Sequence, residues 1–210
     1  TGARPLGITD CLNFGNPEKP EVFFQFCEAA RGISDACRVF GTPVTGGNVS
    51  FYNESPAGAI DPTPTIGMVG LLSRVEDRVA SYFDSPRDEV YIIGETSGIL
   101  GGSAYWAEVC DFVGGHPPAV DPDAELQLQR FLVAAAEQRL LRSAHDCSEG
   151  GLAVSLAEAA LGGPYVPGSL GARLDLTGYA PDVPAEGVLY GEDGARAVVT
   201  CATSQSRRMV

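Results

Sequence analysis

Basic residues are scarce in this chain. Its 210 residues include 14 lysines and arginines against 27 aspartates and glutamates, which gives a formal net charge of −13 at pH 7. Proteins that bind nucleic acid usually present a basic face, so the charge balance argues against a nucleic-acid partner. A phosphate ligand would need divalent cations or backbone N–H groups to offset the acidic field.

Zinc-binding patterns and long apolar segments are also lacking. The chain has two histidines, and none of its six cysteines forms a Cys-x-x-Cys pair, so the ligand spacing of a zinc site is absent. Free thiols in a reducing cytoplasm fit this usage better than disulfides. The longest apolar runs, such as Leu132–Ala136, are far shorter than the roughly 20 residues of a membrane helix. With no basic-then-apolar signal segment at the N-terminus, we expect a cytoplasmic protein without membrane association.

The composition that remains is that of a folded protein rich in turns. Hydrophobic residues make up 44% of the chain and 26 residues are glycine, which allows a buried core in one large or two small domains. A polar stretch, Glu76–Glu89, predicts a boundary between two domains. Thr1 stands where an initiator methionine would, so we expect the chain to begin inside a longer protein.

The first part of the chain predicts a long helix between short strands. A strand is expected over Pro5–Asp10, and proline and glycine predict a loop from Cys11 to Pro20. Apolar residues at helical spacing predict a helix over Glu21–Phe40, which Gly41 would stop. A later apolar run, Thr65–Leu72, predicts a strand buried on both faces. This order of elements indicates an α/β or α+β layer.

The second part predicts shorter elements. A strand at Val90–Ile93 leads through a glycine-rich turn into a helix whose apolar side includes Tyr105, Trp106, Val109, Cys110 and Val113. A second helix is expected over Asp121–Leu141, with Asp121 as its N-cap. A third would start near Gly150, capped by Ser148 or Asp146. Short strands are expected at Ala172–Leu176, Gly187–Tyr190 and Ala197–Cys201, with a turn at Gly191-Glu192-Asp193.

The segment Gly46–Glu54 has two interpretations. Val49 and Phe51 alternate with polar residues, so it reads as a strand with one wet face. Two glycines followed by amide and hydroxyl side chains could hold a phosphate or a metal, but an edge strand with solvated polar residues gives the same pattern. Asp10 also has two interpretations, since it is either a ligand residue at a strand end or a cap of a helix or turn.

Two other patterns also allow two interpretations, and a third allows one. The turn Gly94–Ser103 matches neither the Walker A nor the Gly-x-Gly-x-x-Gly pattern, so it is either an anion site at a helix start or a simple strand–helix turn. Arg31 and Arg38 would either face a phosphate or be solvated helix charges. The run His145–Ser148 places adjacent side chains on opposite faces, which excludes a catalytic relay among them.

Six motifs in series carry a resemblance to a known family. They occur in order along nearly the whole chain: Asp10–Pro17, Gly46–Glu54, Pro62–Pro64, Gly94–Thr96, Gly101–Ser103 and His145–Ala153. Together they resemble the phosphoribosylformylglycinamidine synthases, the ATP-dependent amidotransferases of purine biosynthesis. Gly46–Glu54 is similar to the short bacterial form, which works with separate glutaminase and small accessory subunits.

The resemblance implies a fold and a domain organisation. The family is built from two tandem copies of a two-domain unit shared with aminoimidazole ribonucleotide synthetase, and this chain resembles part of the second copy. An α/β domain would span residues 1–80, without its first strands, and would pair its sheet with the missing first copy. An α+β domain would span residues 88–210, without its end.

The resemblance also implies a chemistry and a site. ATP phosphorylates the amide oxygen of formylglycinamide ribonucleotide, and ammonia derived from glutamine then displaces phosphate to give the amidine. By matching motifs, Asp10 and Gly47 resemble ATP-contacting positions, and Ser50 resembles a substrate contact. Asn48 resembles a Mg²⁺ ligand, a role that a carboxamide oxygen can fill.

The resemblance assigns no catalytic residue to this chain. The family's catalytic histidine lies in the first copy, and neither His116 nor His145 occupies its motif. Asp146 matches a metal-binding aspartate of the first copy, but in the second copy that position is structural or lies near an auxiliary nucleotide. The chain would therefore supply half of an active site and be inactive alone.

Two other functions stay open. Another ATP-using relative, such as a selenophosphate synthetase or a thiamine phosphate kinase, would need an aspartate-rich metal cluster near its N-terminus, which this sequence does not show. A non-catalytic scaffold would keep the fold and bind partners. Affinity for Mg²⁺–ATP would distinguish the scaffold from the enzyme.

Overall fold

The computed structural model describes residues 1–163 and 170–209. They fall in two compact units, which we name the N-terminal unit (Ala3–Ser73) and the C-terminal unit (Thr1–Gly2 with Arg74–Val210). Within the described residues, none of the helices is both long and apolar enough to cross a membrane.

The N-terminal unit is a three-stranded sheet with one long helix. Its elements are β1 (Arg4–Asn13), α1 (Pro20–Phe40), β2 (Val44–Ser50), β3 (Glu54–Ser55), β4 (Gly58–Ala59) and β5 (Thr63–Leu71). The central strand β1 runs parallel to β2 and antiparallel to β5, while β3 and β4 form a small hairpin. A parallel pair needs a crossover connection, which α1 supplies.

Helix α1 packs on one face of this sheet. Leu12, Phe14 and Val22 are buried together, and the ring of Phe26 meets those of Phe14 and Phe51 edge-on at 5.4 and 5.1 Å. The helix ends as predicted, because Gly41 adopts a left-handed conformation with φ of 65°.

Two expectations for this unit are wrong. Strand β1 does not end at Asp10 but continues to Asn13, since β2 and β5 both pair with it that far. Asp10 is therefore in mid-strand, neither at a tip nor in a cap. Strand β5 is exposed along all nine residues, not buried on both faces. It lies at the edge of the sheet, and a run of apolar residues does not by itself show that another element covers them.

The C-terminal unit is built around a buried antiparallel sheet. Its elements are β6 (Asp88–Ile93), α2 (Ala104–Cys110), α3 (Pro122–Glu137), β7 (Leu141–Asp146), α4 (Gly151–Leu161), α5 (Ala185–Tyr190) and β8 (Ala197–Ala202), with 3₁₀ turns at Val75–Asp77 and Thr203–Arg208. Strand β8 lies between β6 and β7 and pairs antiparallel with both.

Both faces of β8 are covered. Val199 packs with Ala135 and Ala136 of α3, whereas Val198 packs with Leu152 and Leu156 of α4. A strand covered on both faces reads as a near-continuous apolar run, and Ala197–Ala202 is interrupted only by Thr200, whose hydroxyl is hydrogen-bonded to that of Ser143. This sheet fixes the loops that precede and follow β8.

Several predicted elements of this unit differ in the structure. Gly187–Tyr190 belongs to helix α5 and not to a strand, since an apolar run this short does not reveal its own periodicity. Ala172–Leu176 has no regular structure. Helix α3 starts after its Asp121 cap as predicted but ends at Glu137, and Val113 lies outside α2 and is 88% exposed.

Candidate functional site

Asp10 and Gly47 lie side by side on the β1–β2 ladder. They are register partners, and a Cβ atom built on Gly47 would lie 2.0 Å from Asp10 Oδ1 and 2.3 Å from the Asp10 carbonyl oxygen. Any other residue at position 47 would collide with Asp10. The structure therefore brings these two predicted site residues together and gives a physical reason for the glycine.

Asn48 and Ser50 lie on the opposite face of the same strands. Successive residues of a strand point to opposite faces, and register partners on neighbouring strands share a face. Asn48 is the partner of Cys11, and Ser50 is the partner of Asn13. These four side chains form a polar face on which Asn48 is exposed.

The predicted site residues are thus divided between two faces. Asp10 shares its face with Leu12, which packs beneath α1. Asn48 and Ser50 are on the face that points away from α1. One compact ligand in direct contact with the middle of either face cannot touch the side chains of Asp10, Asn48 and Ser50 together.

Asn53 holds the chain that follows β2. Its Nδ2 donates to the carbonyl oxygens of Phe14 and Ser50, each at 3.0 Å, and its backbone N–H donates to Phe14 O at 3.2 Å. The Ser50 hydroxyl also lies 3.3 Å from Asn53 Oδ1. Asn53 therefore both closes the loop and orients Ser50.

Glu54 has a comparable structural role. Its Oε1 accepts hydrogen bonds from Lys19 Nζ at 2.8 Å and from the Asn16 N–H at 3.1 Å. The Lys19 ammonium and then the Asn16 N–H hold the pKa of the Glu54 carboxyl below its ordinary value. Two of the polar side chains that made Gly46–Glu54 look like a ligand site, Asn53 and Glu54, thus stabilise the loop before α1.

The polar face around Asn48 fits only part of a magnesium site. Mg²⁺ in proteins is usually held by one or two carboxylates, with phosphate oxygens and water completing the octahedron. Across residues 1–163 and 170–209, there is no group of three or more His, Cys, Asp or Glu side chains that could hold a metal. Asn48 could thus serve as a single neutral ligand of an ion whose other ligands come with the nucleotide.

The two arginines of α1 are paired on the helix surface. Arg38 Nη1 lies 2.7 Å from Asp35 Oδ1, and Arg31 pairs with Glu28. All four side chains are exposed. This arrangement agrees with solvated helix charges and not with phosphate contacts.

The glycine-rich turn of the C-terminal unit is filled by two carboxylates. Asp193 accepts hydrogen bonds from the N–H groups of Ser97 and Gly98, and Glu192 accepts from those of Ala104 and Gly150. Composition predicts only a turn at Gly191-Glu192-Asp193 and indicates neither role. The prediction that Ser148 or Asp146 caps α4 is wrong, because the Gly150 N–H donates to Glu192.

The His145–Ser148 segment has local pairings only. His145 Nε2 lies 3.4 Å from Glu158 Oε2 and its Nδ1 lies 3.7 Å from Asp146 Oδ1. The Ser148 hydroxyl donates to the Asp146 carboxylate and is the main cause that lowers the pKa of Asp146. Cys147 is buried, whereas Asp146 and Ser148 are exposed.

Comparison with known proteins supports both units. Residues 1–72 match the family description "AIR synthase related protein, N-terminal domain". The chain is 49% identical over 212 residues to phosphoribosylformylglycinamidine synthase subunit PurL of Thermobifida fusca and 48% identical over 209 residues to that of Moorella thermoacetica. Each match covers 100% of this chain but only 26% and 27% of the relative, so the chain spans about a quarter of their length.

The fold agrees with a solved structure as well. T. maritima PurL complexed with FGAR superposes with a TM-score of 0.68 at 22% identity, over 99% of this chain and 33% of that one. The resemblance found in the sequence is thus confirmed, and so is the two-domain fold class. Since residues 85–208 also match "AIR synthase related protein, C-terminal domain", this chain belongs to the AIR synthase related protein family.

Proposed function

We propose that this chain is the second synthetase copy, in part, of a short-type bacterial phosphoribosylformylglycinamidine synthase, with an α/β domain over residues 1–80 and an α+β domain over 88–210. The observation that carries this proposal is the 48–49% identity to two PurL subunits, which extends over the whole chain and through both domains. The reaction would convert formylglycinamide ribonucleotide, ATP and glutamine-derived ammonia to the amidine in the cytoplasm.

The proposed role of Asp10 and Gly47 is to contact ATP. The absence of a side chain at Gly47 lets the Asp10 carboxylate lie directly against the β2 backbone. Asp10 is acidic in a chain of net charge −13, so it would contact the sugar or an ion and not a bare phosphate. Bound Mg²⁺ would neutralise phosphate charge during transfer.

Asn48 and Ser50 would act on the other face of the strand pair. Asn48 would offer one oxygen to the ion, and Ser50, oriented by Asn53, would contact the ribonucleotide. Because the two pairs of residues lie on different faces, we propose two contact surfaces, with the ion held by Asn48 on the substrate's face joining the nucleotide phosphates to the substrate. The catalytic base would belong to the first copy of the unit.

The proposed partners follow from the short bacterial type. A glutaminase subunit would supply ammonia, a small accessory subunit would complete the assembly, and the first synthetase copy would complete the active site. Neither nucleic acid nor a membrane surface is proposed as a partner, given the acidic charge.

A chimera tests the assignment. Thr1–Val210 would replace the matching segment of Thermobifida fusca PurL, and ATP-dependent amidine formation would be measured with ammonia as nitrogen donor. We expect activity within about tenfold of the parent, because the chimera would combine the proposed site residues of this chain with the first copy that supplies the catalytic base, and no turnover from the 210-residue chain alone. A folded chimera without activity, alongside an active parent, would contradict the proposal.

Two variants of the chimera test the site residues. Asn48→Ala should raise the Mg²⁺ concentration needed for half-maximal rate and weaken broadening of nearby NMR signals by Mn²⁺, and Asp10→Ala should weaken Mg²⁺–ATP binding measured by calorimetry. Thr45→Ala on the same strand serves as the control. Unchanged ATP affinity in Asp10→Ala would favour a non-catalytic scaffold, and unchanged Mg²⁺ dependence would remove Asn48 from the site.

A further inference from the structure

The turn Gly191-Glu192-Asp193 sends two consecutive carboxylates in different directions. Glu192 Oε1 accepts from Ala104 N and Gly150 N, each at 2.8 Å. Asp193 Oδ2 accepts from Ser97 N at 3.1 Å and Gly98 N at 3.2 Å. Neighbouring residues of an extended segment point to opposite sides, which allows one turn to reach two separate sets of amides.

The four amides belong to the segments that resemble an anion site. Ser97 and Gly98 lie in the glycine-rich turn after β6, and Ala104 and Gly150 lie at the starts of α2 and α4. Backbone N–H groups in glycine-rich turns and at helix starts are the groups that bind phosphate in other proteins. Here they already donate to carboxylate oxygens of the same chain.

The turn is held in place by a buried arginine. Arg196, whose side chain is fully buried, donates from Nη2 to Gly191 O at 2.6 Å and from Nη1 to Asp193 Oδ2 at 3.3 Å. Its Nη1 also donates to Thr96 Oγ1 at 2.9 Å. The guanidinium thus fixes the position from which both carboxylates reach their amides.

Close backbone packing places the turn directly against the start of α4. A Cβ atom on Gly151 would lie 2.5 Å from Gly191 O, and one on Gly191 would lie 2.5 Å from Gly187 O. The backbone of the turn therefore touches the start of α4 and helix α5 directly. Movement of Glu192 away from its amides would disturb these contacts.

We infer that Glu192 and Asp193 act as built-in anions that close the glycine-rich turn of this domain to phosphate and tie the starts of α2 and α4 to β8. A free phosphate would have to displace a carboxylate that is covalently attached and already positioned. The effective concentration of that carboxylate at the amides is high, so it competes strongly with a free anion. The inference concerns the C-terminal unit and holds whether or not the proposed activity is correct.

Amide exchange and a phosphate titration test this in the unmodified 210-residue chain. We expect the amide protons of Ala104 and Gly150 to be protected from exchange without added anion, and inorganic phosphate to leave the NMR signals of Ser97, Gly98, Ala104 and Gly150 unmoved at constant ionic strength. Rapid exchange of these amides, or saturable phosphate-induced shifts, would overturn the inference.

Variants give the complementary measurement. Glu192→Ala should lower the melting temperature by roughly 1–8 °C, since the starts of α2 and α4 lose the carboxylate that accepts from their amides. Acetate or phosphate should restore part of that loss, and Glu192→Gln should lose less. The control Glu149→Gln removes an exposed charge beside Gly150 and should show neither effect. Equal anion stabilisation of wild type and Glu192→Ala would contradict the inference.

Discussion

The N-terminal and C-terminal units each contain a glycine-rich polar segment, and the two segments differ in what occupies the space around the glycines. At Gly47 the missing side chain admits Asp10, and the face bearing Asn48 stays exposed. In the glycine-rich turn of the C-terminal unit, the backbone N–H groups of Ser97 and Gly98 donate hydrogen bonds to Asp193. A similar sequence pattern therefore marks an open surface in one unit and a closed one in the other.

The sheets of the two units differ in the same sense. Strand β8 is buried on both faces between helices, whereas β5 is exposed along its whole length. Burial of β8 forces the polar groups next to it to find partners within the chain, which Arg196 and Asp193 do. The N-terminal unit is under no such constraint at Asn48.

The largest effect is expected at Arg196, which tests whether the closed segment depends on its buried ion pair. Arg196→Met would leave the Asp193 carboxylate, 7% exposed, without its cation and should reduce the free energy of unfolding by about 3–5 kcal/mol. Urea unfolding followed by circular dichroism measures it.

The matched control is Arg142→Met. Arg142 is 51% exposed and lies 3.6 Å from Asp84, so its loss should change the free energy of unfolding by less than about 1 kcal/mol. If both variants lost the same amount, the contrast between a closed and an open segment would not rest on this ion pair.

A smaller effect is expected at Gly47, which tests the close packing of β2 against Asp10 in the N-terminal unit. In Gly47→Ala the new methyl group would meet Asp10 Oδ1 and the Asp10 carbonyl oxygen, and we expect a loss of about 1–3 kcal/mol in the free energy of unfolding. Gly46→Ala is the control, since a Cβ there has no heavy atom within 4 Å. Adding Asp10→Ala should recover only part of the loss, because the carbonyl oxygen remains 2.3 Å away.

Near-equal stabilities of the Gly47→Ala and Gly46→Ala variants would show that the strands separate easily at this point. Asp10 would then not explain the glycine. The measurement is urea unfolding of both variants in the same buffer, with the double variant as the internal check.

Local signals were enough to predict much of the fold but little of the closed segment. Helix α1 follows from apolar spacing and Gly41, and the N-cap of α3 follows from Asp121, since both depend on neighbours in sequence. Exposure of β5 could not be predicted, because an apolar run does not say which element covers it.

The roles of Glu192 and Asp193 depend on contacts far apart in sequence. Glu192 reaches an amide 88 residues away, and Asp193 reaches one 96 residues away. No periodicity or turn pattern encodes such a pairing, so Gly191-Glu192-Asp193 looked like an ordinary turn. The candidate site residues Asp10, Gly47, Asn48 and Ser50 came from resemblance, and the alternation of β2 then divided them between two faces.

The smallest expected effects concern two carboxylates whose pKa values are shifted in opposite directions. Lys19 and the Asn16 N–H lower the pKa of Glu54 in the N-terminal unit. Burial raises the pKa of Asp88 in the C-terminal unit, where its Oδ2 is buried without a hydrogen-bond partner among the described residues. The ionised form of a carboxyl group is thus stabilised in one unit, at Glu54, and destabilised in the other, at Asp88.

The sign of each pH dependence follows from linkage. Because the folded pKa of Glu54 is depressed, its stabilisation is present above the unfolded pKa and is lost as the pH falls through the folded value. Because the folded pKa of Asp88 is raised, its stabilisation is present below the unfolded pKa and is lost as the pH rises through the folded value. Unfolding free energies measured from acid to neutral pH should therefore rise less steeply in Glu54→Gln than in wild type.

In Asp88→Asn they should rise more steeply, because the opposing titration is removed. Near neutral pH this variant should be as stable as wild type or more stable by up to about 1 kcal/mol, since an unpaired buried charge is replaced by a neutral amide of the same shape. Asp84→Asn, at an exposed carboxylate nearby, serves as the control. A loss of stability in Asp88→Asn at neutral pH would mean that the anion is paired in solution, and the difference between the two units would then be confined to Asp193 and Glu192.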